Sequence, residues 1–494
     1  MKYFLTLTLL SISLVITAQS RKIAKDTLVK TTHNIQIKGQ NVPYDAIAGM
    51  QPVWNEKGEI TATMFFTYYK RNDVKDSANR PIIFSFNGGP GSASVWMHIA
   101  YTGPVLLNLD DEGFPIQPYG YKDNPYSILD VADIVYVDPV GTGYSIMLED
   151  KEGKMPDREK FFGINADVKY LASWMNTFIT RHNRWLSPKY IIGESYGGTR
   201  VMGLSNELQS VQKMYLNGVI MVSPADYKLY STGNAIGTIV NIPYFTAAAW
   251  YHKVLPVALQ SRDLEEILPE VEHFALHEAL PALSKGGFLS ESEKNKVAEK
   301  MAYYTGLSVE AVLSENLDIS TSFFWKELLR NKGLTIGRLD SRYLGIDKEL
   351  SGSSPDYSPE LTSWNHSFTP PINHYIKNVL KFETDVPYGV LNSVGDWDRR
   401  NDNVRENLRK AMAQNPYLKV LVQSGYYDGA TTYFQAKQTM WLVDPSGKMR
   451  DRFTFKGYRS GHMMYVRSED LKTANDDIRE FIKNSYRPGN TAKY

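Results

Sequence analysis

Residues 193–198 place a serine among glycines at a spacing typical of nucleophilic catalysis. They read Gly-Glu-Ser-Tyr-Gly-Gly, directly after the strand-like residues 190–192 and before a segment that reads as a helix. A strand-to-helix elbow of this kind is sharp, so glycines are needed where a Cβ would not fit, and the serine hydroxyl is pushed out above the sheet. Ser195 is therefore the candidate nucleophile, although the pattern alone is weakly specific.

A second glycine-rich loop, Asn-Gly-Gly-Pro-Gly at residues 87–91, follows the predicted strand 82–86. An α/β-hydrolase places there the loop that donates a backbone N–H to the oxyanion hole. In isolation this sequence would indicate only a tight turn, but here the two motifs stand in the right order after predicted strands. The predicted oxyanion-hole donors are the N–H groups of Gly89 and of Tyr196, the residue after the serine.

A serine nucleophile needs a base and an acid. Among nine histidines, His462 lies in a loop after the last predicted strands, where the fold expects the base. Asp428 lies between serine and histidine in chain order, after the predicted strand 420–422, and would hold the imidazole tautomer and stabilise its cation. Three rival acids, better explained as solvated or capping carboxylates, are Asp396, Asp398 and Asp451.

His273 and His277 are spaced to share one helix face and could ligate a metal. No acidic residue completes a zincin arrangement, so a surface pair on a helix is the favoured interpretation. The predicted serine chemistry requires no metal and no cofactor.

The elements that must position these residues follow an α/β pattern. Short apolar runs without alternation predict buried parallel strands, and a helical pattern over residues 165–179 lies between two of them. We therefore predict an α/β-hydrolase fold, with a mostly parallel doubly wound sheet whose ligands sit at the carboxyl ends of the strands. The predicted strands are residues 61–69, 82–86, 134–137, 190–192, 219–222 and 420–422.

Residues 227–388 are mainly helical in pattern and interrupt the strand series. Ser290 opens a capping box for a helix that should stop at Gly306, and residues 261–280 read as a helix with a break or kink at Pro269. Such an insertion beside the active site would shape the substrate cleft. The predicted organisation is a signal peptide at 1–18, an α/β-hydrolase core at 19–226 and 389–494, and a helical insertion or cap at 227–388.

Composition limits the partners and the compartment. The 494-residue chain carries a net charge of +1, so no positive field attracts nucleic acid or an anionic membrane. The absence of cysteine excludes disulfides, thiolate chemistry and lipid attachment at a cleavage site.

The basic, apolar and small-residue order of residues 1–18 predicts a cleaved signal peptide rather than a membrane anchor. We therefore expect a periplasmic or secreted protein of a bacterial envelope. The oligomeric state is left open.

Together these motifs resemble the serine carboxypeptidase family, that of carboxypeptidase Y and cathepsin A, over roughly residues 60 to 470. The resemblance implies an enzyme that removes single residues from the C-terminus of peptides. It also implies that Asn87 and Glu194 bind the terminal carboxylate of the peptide. The motifs that carry it lie at residues 87–91, 103–104, 124–127, 138–145, 193–197 and 461–463.

An ionised Glu194 would repel a substrate carboxylate, whereas a protonated one can donate a hydrogen bond to it. We therefore expect substrate binding to raise the pKa of Glu194 and peptide hydrolysis to favour acidic pH. The alternative is that Glu194 only braces the elbow.

The sequence departs from the family pattern at three positions. Ser85 stands where a tryptophan is frequent, Ser92 where a cysteine is frequent and Gly198 where an alanine is common. The first of these differences could reshape the carboxylate pocket.

The predicted reaction is hydrolysis through an acyl-enzyme at Ser195. The alternatives are an acyltransferase or esterase of the same family and a proline iminopeptidase, which lacks the pairing of asparagine and glutamate. A non-catalytic exported binding protein is a further alternative, against which the complete triad argues.

Overall fold

The structure is a computed structural model that describes residues 23–225, 234–400, 403–489 and 491. The predicted signal peptide, residues 1–18, lies outside the described residues. Within these ranges no helix combines the length and the apolar character that a bilayer crossing requires.

Most strands of the described residues join one mixed, ten-stranded sheet. Its parallel part places strands that are distant in sequence side by side. The strands are β1 Thr27–Ile37, β2 Gln40–Trp54, β3 Ile60–Arg71, β4 Ile82–Phe86, β5 Val105–Leu107, β6 Tyr121–Asp123, β7 Asp133–Val137, β8 Ile146–Met147, β9 Lys189–Glu194, β10 Gly218–Val222, β11 Thr335–Ile336, β12 Leu344–Gly345, β13 Lys419–Gly425 and β14 Phe453–Tyr458.

The sheet order is β1-β2-β3-β7-β4-β9-β10-β13-β14, with β8 beside β3. Every pairing from β7 to β14 is parallel, whereas β1, β2 and β3 are antiparallel to their neighbours. This confirms the predicted α/β-hydrolase architecture. The strands predicted from sequence begin at residue 61, whereas the structure has two long strands, β1 and β2, before that point. Side chains of β1 mostly alternate between half-buried and exposed, as expected of an edge strand with one solvent-exposed face. Its sequence therefore lacks the apolar run by which the central strands were predicted.

Helices cover both faces of the sheet and fill the segment between β10 and β13. The helices are α1 Val95–Ala100, α2 Ile164–Arg181, α3 Tyr196–Ser210, α4 Ala235–Ile239, α5 Ile242–Tyr251, α6 Val257–Gln260, α7 Leu264–Phe274, α8 Leu280–Lys285, α9 Glu291–Thr305, α10 Val309–Ser314, α11 Thr321–Glu327, α12 Pro359–His374, α13 Val404–Gln414, α14 Tyr433–Val443 and α15 Ser468–Ser485.

Alternate residues of the central strands enter different hydrophobic cores. In β9, Tyr190 and Ile192 pack on the face covered by α12 and α15, while Ile191 packs on the face covered by α2, α3 and α13. Burial on both faces explains why these strands are uniformly apolar in sequence. A third core is formed mainly by α4–α11 and extends to Tyr433 and Phe434 of α14.

The helical segment between β10 and β13 matches the predicted insertion in character, although its assignment as a separate cap stays a prediction. The capping box at Ser290 is confirmed, and α9 ends at Gly306 in a left-handed conformation. Of the break or kink expected at Pro269, the break is wrong, because α7 continues through this residue. The irregularity comes later, as a π-helical turn at Ala275–Ala279.

A buried cluster of charges links the start of β7 to the loop before β4 and the loop after α2. Asp133 is fully buried and accepts hydrogen bonds from Arg80 Nε at 2.7 Å and from Arg184 Nη1 at 2.5 Å. Removing the carboxylate would leave two buried guanidinium groups without their counter-charge, which is far costlier than losing an exposed ion pair.

We therefore expect Asp133→Ala to lower the free energy of unfolding by roughly 3–5 kcal/mol, measured by urea denaturation. Asp73→Ala is the control, because Asp73 pairs with Arg71 at the surface and its loss should cost much less. Equal effects of the two substitutions would contradict the importance of the buried cluster.

Candidate active site

Ser195 stands alone between β9 and α3 in a strained backbone conformation, with φ +60° and ψ −124°. A Cβ on Gly193 would lie 2.1 Å from the carbonyl oxygen of Gly197, and a Cβ on Gly197 would lie 2.8 Å from the carbonyl oxygen of Phe86. Neither position tolerates a side chain without backbone movement. The glycines thus allow the sharp turn that presents Ser195 beyond the strand.

The loop at residues 87–91 packs directly against this elbow. A Cβ on Gly88 would lie 2.6 Å from the backbone nitrogen of Tyr196 and 2.8 Å from Ser195 Cβ. Gly89 has φ +99°, a conformation that glycine adopts without strain. The two segments that carry the predicted oxyanion-hole donors, Gly89 and Tyr196, therefore abut.

A buried ion pair anchors this loop from the side of α3. Arg200 Nη1 donates to the carbonyl oxygen of Asn87 at 2.6 Å, and Arg200 Nε donates to Asp167 Oδ2 at 2.6 Å. Both charged side chains are almost completely buried. The backbone of Asn87 is thus hydrogen-bonded to α3, the helix that starts directly after Ser195.

Asp428 and His462, predicted as acid and base, are in direct contact. His462 Nδ1 lies 2.7 Å from Asp428 Oδ2, and Asp428 Oδ1 accepts hydrogen bonds from the backbone nitrogens of Ala430 and Thr431 at 2.9 and 3.1 Å. Burial by itself lowers the pKa of His462, but the charge and hydrogen bond of Asp428, together with Glu194, raise it above its ordinary value. The arrangement suits a base whose cation is stabilised by Asp428.

Thr431 joins this pair and was missed in the sequence analysis. Its hydroxyl oxygen lies 2.7 Å from Asp428 Oδ2, 3.1 Å from His462 Nδ1 and 2.8 Å from the carbonyl oxygen of Ser223. A hydroxyl-bearing residue three positions after a loop aspartate is a signal that could have indicated it.

Neighbouring parallel strands bring the base to the same edge as the serine. The backbone nitrogen of Ser195 donates to the carbonyl oxygen of Val222 at 3.0 Å, and Ser223 Oγ donates to the carbonyl oxygen of His462 at 2.8 Å. The end of β10 therefore links the elbow after β9 to the loop of His462 after β14.

The helical segment also reaches the site through its backbone. The nitrogen of His462 donates to the carbonyl oxygen of Leu339 at 2.7 Å, and the nitrogen of Gly429 donates to that of Arg338 at 3.0 Å. Both loops that carry the predicted base and acid are thus fixed by one short stretch between β11 and β12.

Glu194 and Asn87, which the sequence resemblance assigned to one pocket, are hydrogen-bonded to each other. Asn87 Nδ2 donates to Glu194 Oε2, and the Tyr465 hydroxyl lies 3.0 and 2.9 Å from the two carboxyl oxygens of Glu194. Glu194 is only 2% exposed. Burial raises its pKa to about 7, although His462, Tyr465 and Asn87 act to lower it and Asp428 adds to the rise.

The rival acids lie elsewhere. Asp398 pairs with Arg400 Nε at 2.9 Å, and Asp396 and Asp451 are exposed. In the described part of the chain none of the three contacts His462.

The two histidines considered as metal ligands stack on each other. The ring centroids of His273 and His277 are 4.1 Å apart, and His277 Nδ1 lies 3.0 Å from the carbonyl oxygen of His273. No group of three potential metal ligands occurs among the described residues.

We expect Thr431→Val to slow the reaction of Ser195 with a fluorophosphonate probe roughly tenfold, because one hydrogen bond to the buried Asp428 is lost. Thr431→Ser keeps the hydroxyl and should restore most of the rate. Labelling kinetics measure both variants, and melting temperatures check their folding. A wild-type rate in a folded Thr431→Val would show that the hydroxyl does not support the base.

Comparison with known proteins identifies the family of this chain and a solved structure that shares its fold. The family model described as serine carboxypeptidase matches residues 39–448. The pheromone-processing carboxypeptidase KEX1 of Saccharomyces cerevisiae is 28% identical over 222 residues, 44% of this chain and 28% of that protein. Serine carboxypeptidase-like 9 of Arabidopsis thaliana is 26% identical over 251 residues, 49% of each chain. The chain thus aligns with half or less of the length of these curated relatives.

A solved structure agrees over a longer stretch. The crystal structure of Kex1Δp, described as a prohormone-processing carboxypeptidase from Saccharomyces cerevisiae, superposes with a TM-score of 0.54 at 15% identity. The match covers 89% of this chain and 92% of that one. At this identity the likeness establishes the shared fold.

Proposed function

This chain belongs to the serine carboxypeptidase family, and we propose that it removes single residues from the C-terminus of peptides. The observation that carries the proposal is the buried carboxyl of Glu194 immediately before Ser195, with the Asn87 amide on it. An exopeptidase must recognise a chain end within one residue of the bond it cuts. Glu194 directly precedes the proposed nucleophile in the chain, which supports the Glu194–Asn87 pair as the site for that chain end.

In the proposed reaction Ser195 Oγ attacks the carbonyl carbon of the last peptide bond while His462 takes its proton. The N–H groups of Gly89 and Tyr196 stabilise the oxyanion, and Asp428 holds the imidazolium. His462 then protonates the leaving amine, which departs as the free C-terminal amino acid. Water, deprotonated by His462, hydrolyses the acyl-enzyme and restores Ser195. No cofactor takes part in these steps.

The carboxylate of the substrate is proposed to bind at Glu194 and Asn87. With a pKa of about 7, Glu194 is protonated in acid and donates a hydrogen bond to the incoming carboxylate, whose charge raises that pKa further. Protonation of Glu194 also removes one of the charges that raise the pKa of His462. His462 then acts as a base at lower pH, so hydrolysis of free-acid peptides is favoured on the acidic side.

We further propose that the protein is exported, to the periplasm or the medium, on the basis of the residue order at 1–18. Its partners there are peptide substrates. The near-neutral net charge gives no support for nucleic acid binding.

The proposed activity predicts stepwise C-terminal loss from a free-acid peptide, with much slower loss from its C-terminally amidated twin. Mass spectrometry of the products at about pH 5 and about pH 7.5, which bracket the titration of a buried carboxyl, makes the measurement. Ser195→Ala should abolish cleavage of both peptides. If Ser195 reacts with a fluorophosphonate while neither peptide is cut, the substrate class is wrong, and esters and acyl transfer become the next assays.

Replacing Glu194 by glutamine keeps a neutral donor that does not ionise. In Glu194→Gln we expect kcat/KM for free-acid peptides to lose the alkaline decline that begins near pH 7 in the wild type. Glu207→Gln, the same chemical change at a half-buried position on α3, should keep that decline. An unchanged KM and pH profile in Glu194→Gln would mean that Glu194 only braces the elbow.

A further inference from the structure

Tyr465 approaches Glu194 from the loop of the predicted base. It lies in the helical turn Met464–Val466, just after His462, and is 1% exposed. Its hydroxyl is within 3.0 Å of Glu194 Oε1 and 2.9 Å of Oε2. One side chain thus contacts both oxygens of the carboxyl proposed to bind the substrate.

The ring of Tyr465 is fixed by stacking. Its centroid lies 4.6 Å from that of Tyr101, with an angle of 9° between the ring planes. The Tyr101 hydroxyl donates to Gln423 Oε1 at 2.7 Å, and Gln423 Nε2 donates to the carbonyl oxygen of Ala474 at 3.0 Å. Through these contacts Tyr465 is anchored to β13 and α15, and its hydroxyl is preorganised.

Other polar groups near this carboxyl do not replace that hydroxyl. Ser85 lies opposite Ile192 on β9, but its buried hydroxyl has no hydrogen-bond partner among the described residues. Asn87 reaches Oε2 of Glu194. Among the residues that the structure describes, the hydrogen bond to Oε1 comes from Tyr465.

We propose that Tyr465 is a positioning residue that holds the carboxyl of Glu194 toward the substrate's terminal carboxylate and sets the pH range in which it binds. The kinetic part of this inference rests on the proposed carboxypeptidase function, whereas the titration of Glu194 does not. The role differs from that of a catalytic residue because Tyr465 acts through Glu194.

The charged and titratable groups around Glu194 fix the direction of the effect. Burial raises the pKa of Glu194 most; the charge of His462 and the hydrogen bonds from Tyr465 and Asn87 lower it, and Asp428 raises it. Tyr101, the other titratable group facing this site, is neutral over the working range. Loss of the Tyr465 hydroxyl therefore raises the pKa of Glu194, so the carboxyl stays protonated to higher pH.

The test compares Tyr465→Phe with the wild type on a free-acid peptide and its amidated twin. We expect KM for the free acid to rise roughly tenfold with kcat within about twofold, since a hydrogen bond to the binding carboxyl is lost. The alkaline limb should move up by about one pH unit, and KM for the amidated peptide should not change. Tyr190→Phe is the control, because this buried tyrosine of β9 bonds Ser485 instead and should behave as wild type.

A second measurement does not depend on turnover. Nuclear magnetic resonance of enzyme carrying carbon-13 in its glutamate carboxyls, with Glu194→Gln to assign the signal, gives the titration midpoint of Glu194. We expect that midpoint to rise by about one pH unit in Tyr465→Phe and to stay constant in Tyr190→Phe. An unchanged midpoint, or an equal rise in KM for acid and amide, overturns the proposal. If the wild type cleaves neither peptide, the proposed function fails, and the midpoint still decides the role of Tyr465.

Discussion

The site depends on a backbone contact that leaves no room for a single methyl group. The turn at Ser195, the end of β4 and the loop at residues 87–91 approach so closely that Gly88, Gly193 and Gly197 admit no Cβ. This contact places an asparagine, a glutamate and a serine within one small volume. The apolar cores on both sides of the central strands and the Arg200–Asp167 pair hold the three segments together against the strain at Ser195.

A second constraint is electrostatic. Glu194 and Asp428 are two buried carboxyl groups close enough for the charge of Asp428 to raise the pKa of Glu194. The charges of both groups raise the pKa of His462. Two negative charges in such a place are costly, and a proton on one of them removes most of that cost. The structure assigns different environments to the two groups. Asp428 receives two backbone N–H donors, whereas burial dominates at Glu194 and raises its pKa.

The helical segment is part of the site as well as a neighbour of it. The carbonyl oxygens of Arg338 and Leu339 accept hydrogen bonds from the residues that carry or adjoin the predicted acid and base. A displacement of this segment would therefore move Asp428 and His462. The helical segment and the two loops of the predicted acid and base are thus joined by backbone hydrogen bonds.

The sequence alone determined what depends on local chemistry. The glycine spacing around Ser195, the loop at residues 87–91, the apolar central strands and the capping box at Ser290 all follow from neighbours along the chain, and each was predictable. Only the tertiary structure decided the long N-terminal strands, the helix through Pro269, and the contacts of Thr431 and Tyr465. These depend on contacts with partners that are distant in sequence, such as Ser223 and Glu194. A single sequence contains no measure of which distant groups will meet, because that is fixed by how the whole sheet packs.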